Sequence, residues 1–163
     1  MRLWNDRPPE IAHLFNPAFC GLLIREGVVG FMEVSPGGMP YPLVFLLLPI
    51  VLHKATRESL PTTIATKMHP WIQHHQEARV GFSDRCAAVA AYTREAILFA
   101  ASGTLLTFSQ DGALQAPRLG FRRPPWPPDS ESMMCSQRAR FVGRWLAKAG
   151  DNATIFAMWG IRP

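Results

Sequence analysis

Ten consecutive residues, Leu43 to Leu52, carry no polar side chain. A helix that is apolar on every side must be covered on every side. The run is too short to span a bilayer, which needs about 20 residues, and Pro49 interrupts it. Residues 42–57 are therefore predicted to form a buried central helix, with Pro61 ending the region. The chain has 163 residues, 48% apolar and 18% charged, enough to bury one core. That mixture excludes wholesale disorder and collagen-like or coiled-coil architectures.

Helix start signals surround this run. Pro8, Pro9 and Glu10 open a first helix whose apolar face is Ile11, Leu14 and Phe15. Asn16 caps a second with Pro17 at its first position, running toward Gly30. Ser35 to Gly38 is a loop. Thr62 or Thr63 caps a helix with Ile64, Met68, Trp71 and Ile72 on one face, leaving at His74-His75-Gln76. Ser83 caps a helix from Asp84 to about Ala91, and Thr93 can cap another with Ile97, Leu98 and Ala101 apolar. One continuous helix satisfies the same pattern. Residues 131–149 read as an amphipathic helix with Phe141, Trp145, Met134 and Leu146 inward. Asp151 or Asn152 starts a last element through Trp159.

The period changes at residues 104–117. A two-residue Asp111-Gly112 loop would pair Ser109 with Leu114 and mix the faces. A three-residue loop, Gln110 to Gly112, pairs Phe108 with Leu114, Leu106 with Ala116 and Thr107 with Gln115. It also sets Gly112 at the left-handed position of a bulged turn. The expected fold is thus mainly α (α+β): a compact helical domain over 1–116 with a winged-helix-like β-hairpin at about 104–116. A basic proline-rich connector, 117–130, and a C-terminal helix and tail, 131–163, packing on the same domain, follow it.

Charge is unevenly spread. Lys plus Arg total 17 and Asp plus Glu 12, and the excess of +5 lies wholly beyond residue 117. Arg118, Arg122, Arg123, Arg140, Arg144 and Lys148 are candidate phosphate contacts, or the face that meets a partner's acids. Trp4, Trp126 and Trp159 lie in terminal or proline-rich segments, and Trp with Arg anchors interfaces. They are the candidate partner-binding aromatics.

Chemistry is harder to find. His69, His74 and His75 do not share a helix face, so no metal site is expected. Cys20, Cys86 and Cys135 are odd in number and far apart, which suits a reducing cytoplasm without disulfides. Met1 to Glu10 lacks an apolar signal core, so no membrane or export step is expected. No G-x-S-x-G elbow occurs, and Gly37-Gly38 is not followed by G-K-S/T, so neither a hydrolase nor a phosphate loop is expected. The helix that would read DNA in a winged helix, Thr93–Ser102, carries one base, Arg94, and the hairpin tip carries Asp111. No catalytic residue and no cofactor is assigned.

A set of motifs in order carries a resemblance. Asn16-Pro17-Ala18-Phe19, Gly38-Met39-Pro40-Tyr41-Pro42-Leu43, Leu52-His53-Lys54 and Thr56-Arg57-Glu58-Ser59-Leu60-Pro61 come first. Thr66-Lys67-Met68-His69, Gly81-Phe82 with Arg85, Thr93-Arg94-Glu95-Ala96 and the Gly160-Ile161-Arg162-Pro163 end follow. Together they resemble the middle component of bacterial three-component ABC systems, over roughly residues 7–116 and the end. The resemblance implies a non-catalytic subunit acting beside an SMC- or Rad50-like ABC ATPase and an effector nuclease. Such systems, Lamassu among them, defend against phage and plasmids. ATP and Mg²⁺ would belong to the ATPase, and DNA would be met through the complex. Among matching positions, Pro17, Pro40, Pro42 and Pro61 set helix starts and turns. His53, Arg85, Arg94 and Glu95 suit caps and ion pairs. Arg57 and Lys67 are expected to reach a partner or phosphate. The alternative is a stand-alone winged-helix DNA-binding regulator.

Overall fold

The apolar run folds as a central helix that stops earlier than its composition suggests. A computed structural model of the chain describes residues 7–117 and 121–161. Two helices come first: the short α1 (Pro9–Leu14), and the long α2 (Pro17–Met32), where Asn16 Oδ1 accepts from the amides of Ala18 at 2.9 Å and Phe19 at 3.3 Å. The run then forms α3 (Tyr41–Val51), with Leu43, Val44, Leu46, Leu47, Leu48, Ile50 and Val51 buried. The predicted continuation to residue 57 is a separate helix, α4 (Lys54–Ser59). His53 makes the break: its Nδ1 accepts from the Thr56 amide at 3.3 Å and so starts a new helix.

Downstream, α5 (Met68–His74) begins later than the threonine caps predict, because residues 61–67 are held as turns from outside. Trp145 Nε1 donates to the Thr66 carbonyl at 2.7 Å, and Arg138 to that of Pro61 at 3.1 Å. After a 3-10 turn at Gln76–Arg79, α6 runs unbroken from Phe82 to Ser102. Gly81, at φ 63°, stands at its N-cap in place of the expected Ser83. Thr93 lies inside the helix and satisfies its hydroxyl on the Val89 carbonyl at 3.1 Å, so it caps nothing.

The hairpin forms in the predicted register. Strands β1 (Thr107–Phe108) and β2 (Leu114–Gln115) pair Phe108 with Leu114 and Thr107 with Gln115, and Gly112 has φ 77°. Met39 bridges the free side of Leu114, with both amide-to-carbonyl bonds at 2.8 Å. Leu106, Leu114 and Ala116 are buried, but Phe108 is 50% exposed. It sits on the outer strand, beyond the core that Met39 and Leu114 close.

Helices α7 (Glu131–Ala147) and α8 (Asn152–Met158) are capped by Ser130 and Asp151. Cys135, Ala139, Val142 and Leu146 form the buried stripe of α7, at helical spacing. Met134 falls outside that stripe and is 43% exposed, against expectation. Helices α2 and α7 meet backbone to backbone. A Cβ on Gly30 would stand 2.0 Å from the Arg140 carbonyl oxygen, and one on Gly143 1.9 Å from that of Gly27. Glycine is required at both. By length and composition Pro9–Met32 could also cross a membrane, yet 56% of its most apolar stretch is buried within the fold, as in a core helix.

Candidate interaction surfaces

The α2–α7 seam decides where most of the basic segment's charge goes. Glu26, on α2 and 4% exposed at its side chain, accepts from Arg123 at 3.0 and 3.1 Å and lies 3.4 Å from Arg140. Glu33, two turns further, accepts from Arg140 Nε at 2.9 Å and also pairs with its Nη2, while Arg144 lies 3.8 Å away. The bond to Glu33 is the main reason the Arg140 pKa is raised. Arg25, buried beside Glu26, donates to the Pro117 carbonyl at 2.7 Å, and its guanidinium lies 3.5 Å from the centroid of Phe121. Burial lowers its pKa, against the pull of Glu26. Three of the candidate phosphate contacts, Arg123, Arg140 and Arg144, are thus engaged with acids of the same chain. Arg122 and Lys148 are exposed, and Arg118 lies outside the described residues.

The partner-binding candidates separate in the same way. Arg57 is not a surface group: it is 3% exposed, donates to the Val51 carbonyl at the end of α3 and to Glu131 at the start of α7, both at 2.7 Å, and staples three helices. Trp159 is 1% exposed and packs 4.4 Å from Phe82 and 6.2 Å from Trp71. Burial removes both from any docking role. The tail returns Trp159 to the core because Asp151 turns the chain back into α8. Trp126 is half-buried, edge-on to Phe19 at 6.1 Å. Lys67 is exposed at the N-cap of α5, and Trp4 lies outside the described residues. The remaining motif residues are structural: His53 caps α4, Arg85 ties the Ala78 and Val80 carbonyls, and Glu95 pairs with Arg7 at 2.9 Å. Arg94 is exposed, 5.5 Å over Phe45.

An apolar face emerges on α6, where Leu98, read from the sequence only as an apolar helix position, turns outward. Leu98 is 72% exposed and Phe99 47%. From Arg94 on the same helix, Phe45 and Tyr41 of α3 and Phe108 of β1 follow one another, with ring centroids 5.3 Å apart for Tyr41–Phe45 and 6.4 Å for Tyr41–Phe108. The available signal was the run Ala96 to Ala101, apolar at consecutive positions. With α3 already enclosed at the centre, α6 packs on α2 and α3 through one side, and the rest of its apolar run faces out.

Lys67 and Lys148 line one cleft of about 460 Å³ between α5 and α7 together with His69, Ile64 and Met158, over the buried Trp145 and Met68. No acidic residue lines it among the described residues. Elsewhere chemistry is sparse. Burial pushes the Cys20 and Cys86 thiols up to about 12 and raises that of Cys135, so all three stay protonated near neutrality. Among the described residues no three His, Cys, Asp or Glu converge to hold a metal ion.

The ordered motifs run through the α2–α7 seam and the packing around it. No curated protein and no solved structure matches it. A family model does, over residues 4–163, and with nearly the whole length matched the chain belongs to the Middle Component 3 family of ABC-three component (ABC-3C) systems.

Proposed function

We propose that this chain is the non-catalytic subunit that docks on an SMC- or Rad50-like ABC ATPase. In the cytoplasm it couples DNA sensing by that complex to an effector nuclease, in Lamassu-like defence against phage and plasmids. ATP and Mg²⁺ sit on the ATPase. One observation carries the reading: the surface of α6, α3 and the hairpin presents Leu98, Phe99, Tyr41 and Phe108 beside Arg94. Aromatic and aliphatic anchors beside one arginine suit a protein partner, whereas duplex DNA requires several cationic or amide groups. Co-expression with an SMC- or Rad50-like ABC ATPase of an ABC-3C system should give a stable complex that Leu98→Glu with Phe108→Glu abolishes. An ATPase that purifies free of this chain would overturn the reading.

A second reading, a winged-helix DNA binder, draws on topology. Helix α2, the Met39 bridge, α3, α6 and the hairpin follow in that order, with Leu114 between Met39 and Phe108. It predicts duplex binding by this chain alone, weakening steeply with salt.

A further inference from the structure

The basic residues of this chain meet two fates. Arg25, Arg57, Arg123 and Arg140 are bound to acids or carbonyls of the fold. Lys67 and Lys148 are exposed, and neither side chain has a hydrogen bond or ion pair among the described residues. They come from α5 and α7, far apart in sequence, yet line the same cleft together with His69. The cleft is not a bare patch of charge. The apolar side chains that reach its surface are Ile64, Ala65, Pro70, Ala149 and Met158, backed by buried Trp145 and Met68. Its volume, about 460 Å³, is in the range that holds a bulky side chain with its flanking backbone.

Two requirements follow for an occupant. It must bring negative charge to two ammonium groups, since no carboxylate among the described residues lines the cleft. It must also bring apolar surface, or the wall stays wet. Duplex DNA meets the first and fails the second, because its phosphates stand outside its stacked bases. We infer that this cleft receives an acidic peptide segment of a protein partner, with one bulky apolar side chain seated between carboxylates. The inference goes beyond the choice of complex and stands on the cleft's own chemistry.

The full chain should bind a fluorescein-labelled peptide of alternating glutamate and leucine, with saturable anisotropy. Lys67→Glu with Lys148→Glu should weaken binding at least about tenfold, while Lys67→Arg with Lys148→Arg keeps it. Glycine in place of the leucines should also weaken it. Circular dichroism of the charge-reversed protein should be unchanged, because neither lysine is part of the packing. Absence of saturable binding, binding indifferent to the charge reversal, or displacement of the peptide by a short duplex DNA would each overturn the inference. A failed ATPase pull-down leaves these outcomes untouched, so the two proposals fail separately.

Discussion

The α2–α7 seam and the α5–α7 cleft share one helix and treat charge in opposite ways. At the seam, guanidinium groups from the basic segment are matched to Glu26 and Glu33. At the cleft, Lys67 and Lys148 meet no acid among the described residues. A planar fork can satisfy a carboxylate and a carbonyl together, so arginine serves inside a fold. A lysine ammonium is strongly hydrated and stays at the surface. The net charge of +5 therefore overstates what the C-terminal segment offers to nucleic acid.

The sharpest way to break this contrast is at the seam's backbone contact. Gly143→Ala forces a methyl group against the Gly27 carbonyl, and backbone cannot yield as a side chain can. We expect about 3 kcal/mol or more of lost stability, read from denaturant midpoints. Next comes Glu26→Ala, which leaves Arg25 buried without its carboxylate. A loss of about 2–3 kcal/mol is expected, discounted because Arg123 and Arg140 are partly exposed. The same variant should hold duplex DNA more tightly in a low-salt shift assay, since it frees arginines that the wild type neutralises. If DNA retention does not rise, the seam is not what hides the basic charge.

Acid should act at the start of α4, through His53. Partial burial and the nearby Arg85 lower its pKa from the ordinary 6.5, and its Nδ1 caps α4 only while unprotonated. The unfolded ring takes the proton first as pH falls, so stability is lost from about pH 6.5 down to the folded value and is flat above. His53→Asn, a cap without that titration, should flatten the slope in pH-dependent melts. The smallest effect belongs to the cleft. Lys67→Ala and Lys148→Ala should each change stability by less than about 0.5 kcal/mol, because neither side chain is part of the packing.

Several parts of this fold were legible residue by residue. Asn16-Pro17 announces the start of α2, the Gln110–Gly112 loop sets the hairpin register, and the run after Pro42 marks the centre. Each depends on contacts within a few residues. The apolar face of α6 and the burial of Arg57 and Trp159 were not legible. Periodicity tells which residues share a helix face, and it does not tell which face another element covers. Leu98 and Ile97 differ little in hydropathy; only the placement of α2 and α3 leaves one exposed and the other buried.

Local chemistry in the chain thus determined where most helices begin, how the hairpin pairs and that one helix must be enclosed. Caps, turn geometry and strand alternation act over a few bonds and need no neighbours. Tertiary structure alone decided that Glu26 and Glu33 neutralise arginines about a hundred residues away, and that two lysines share a cleft. Those pairings depend on Gly30 and Gly143 letting two helices touch, a distance that sequence spacing does not encode.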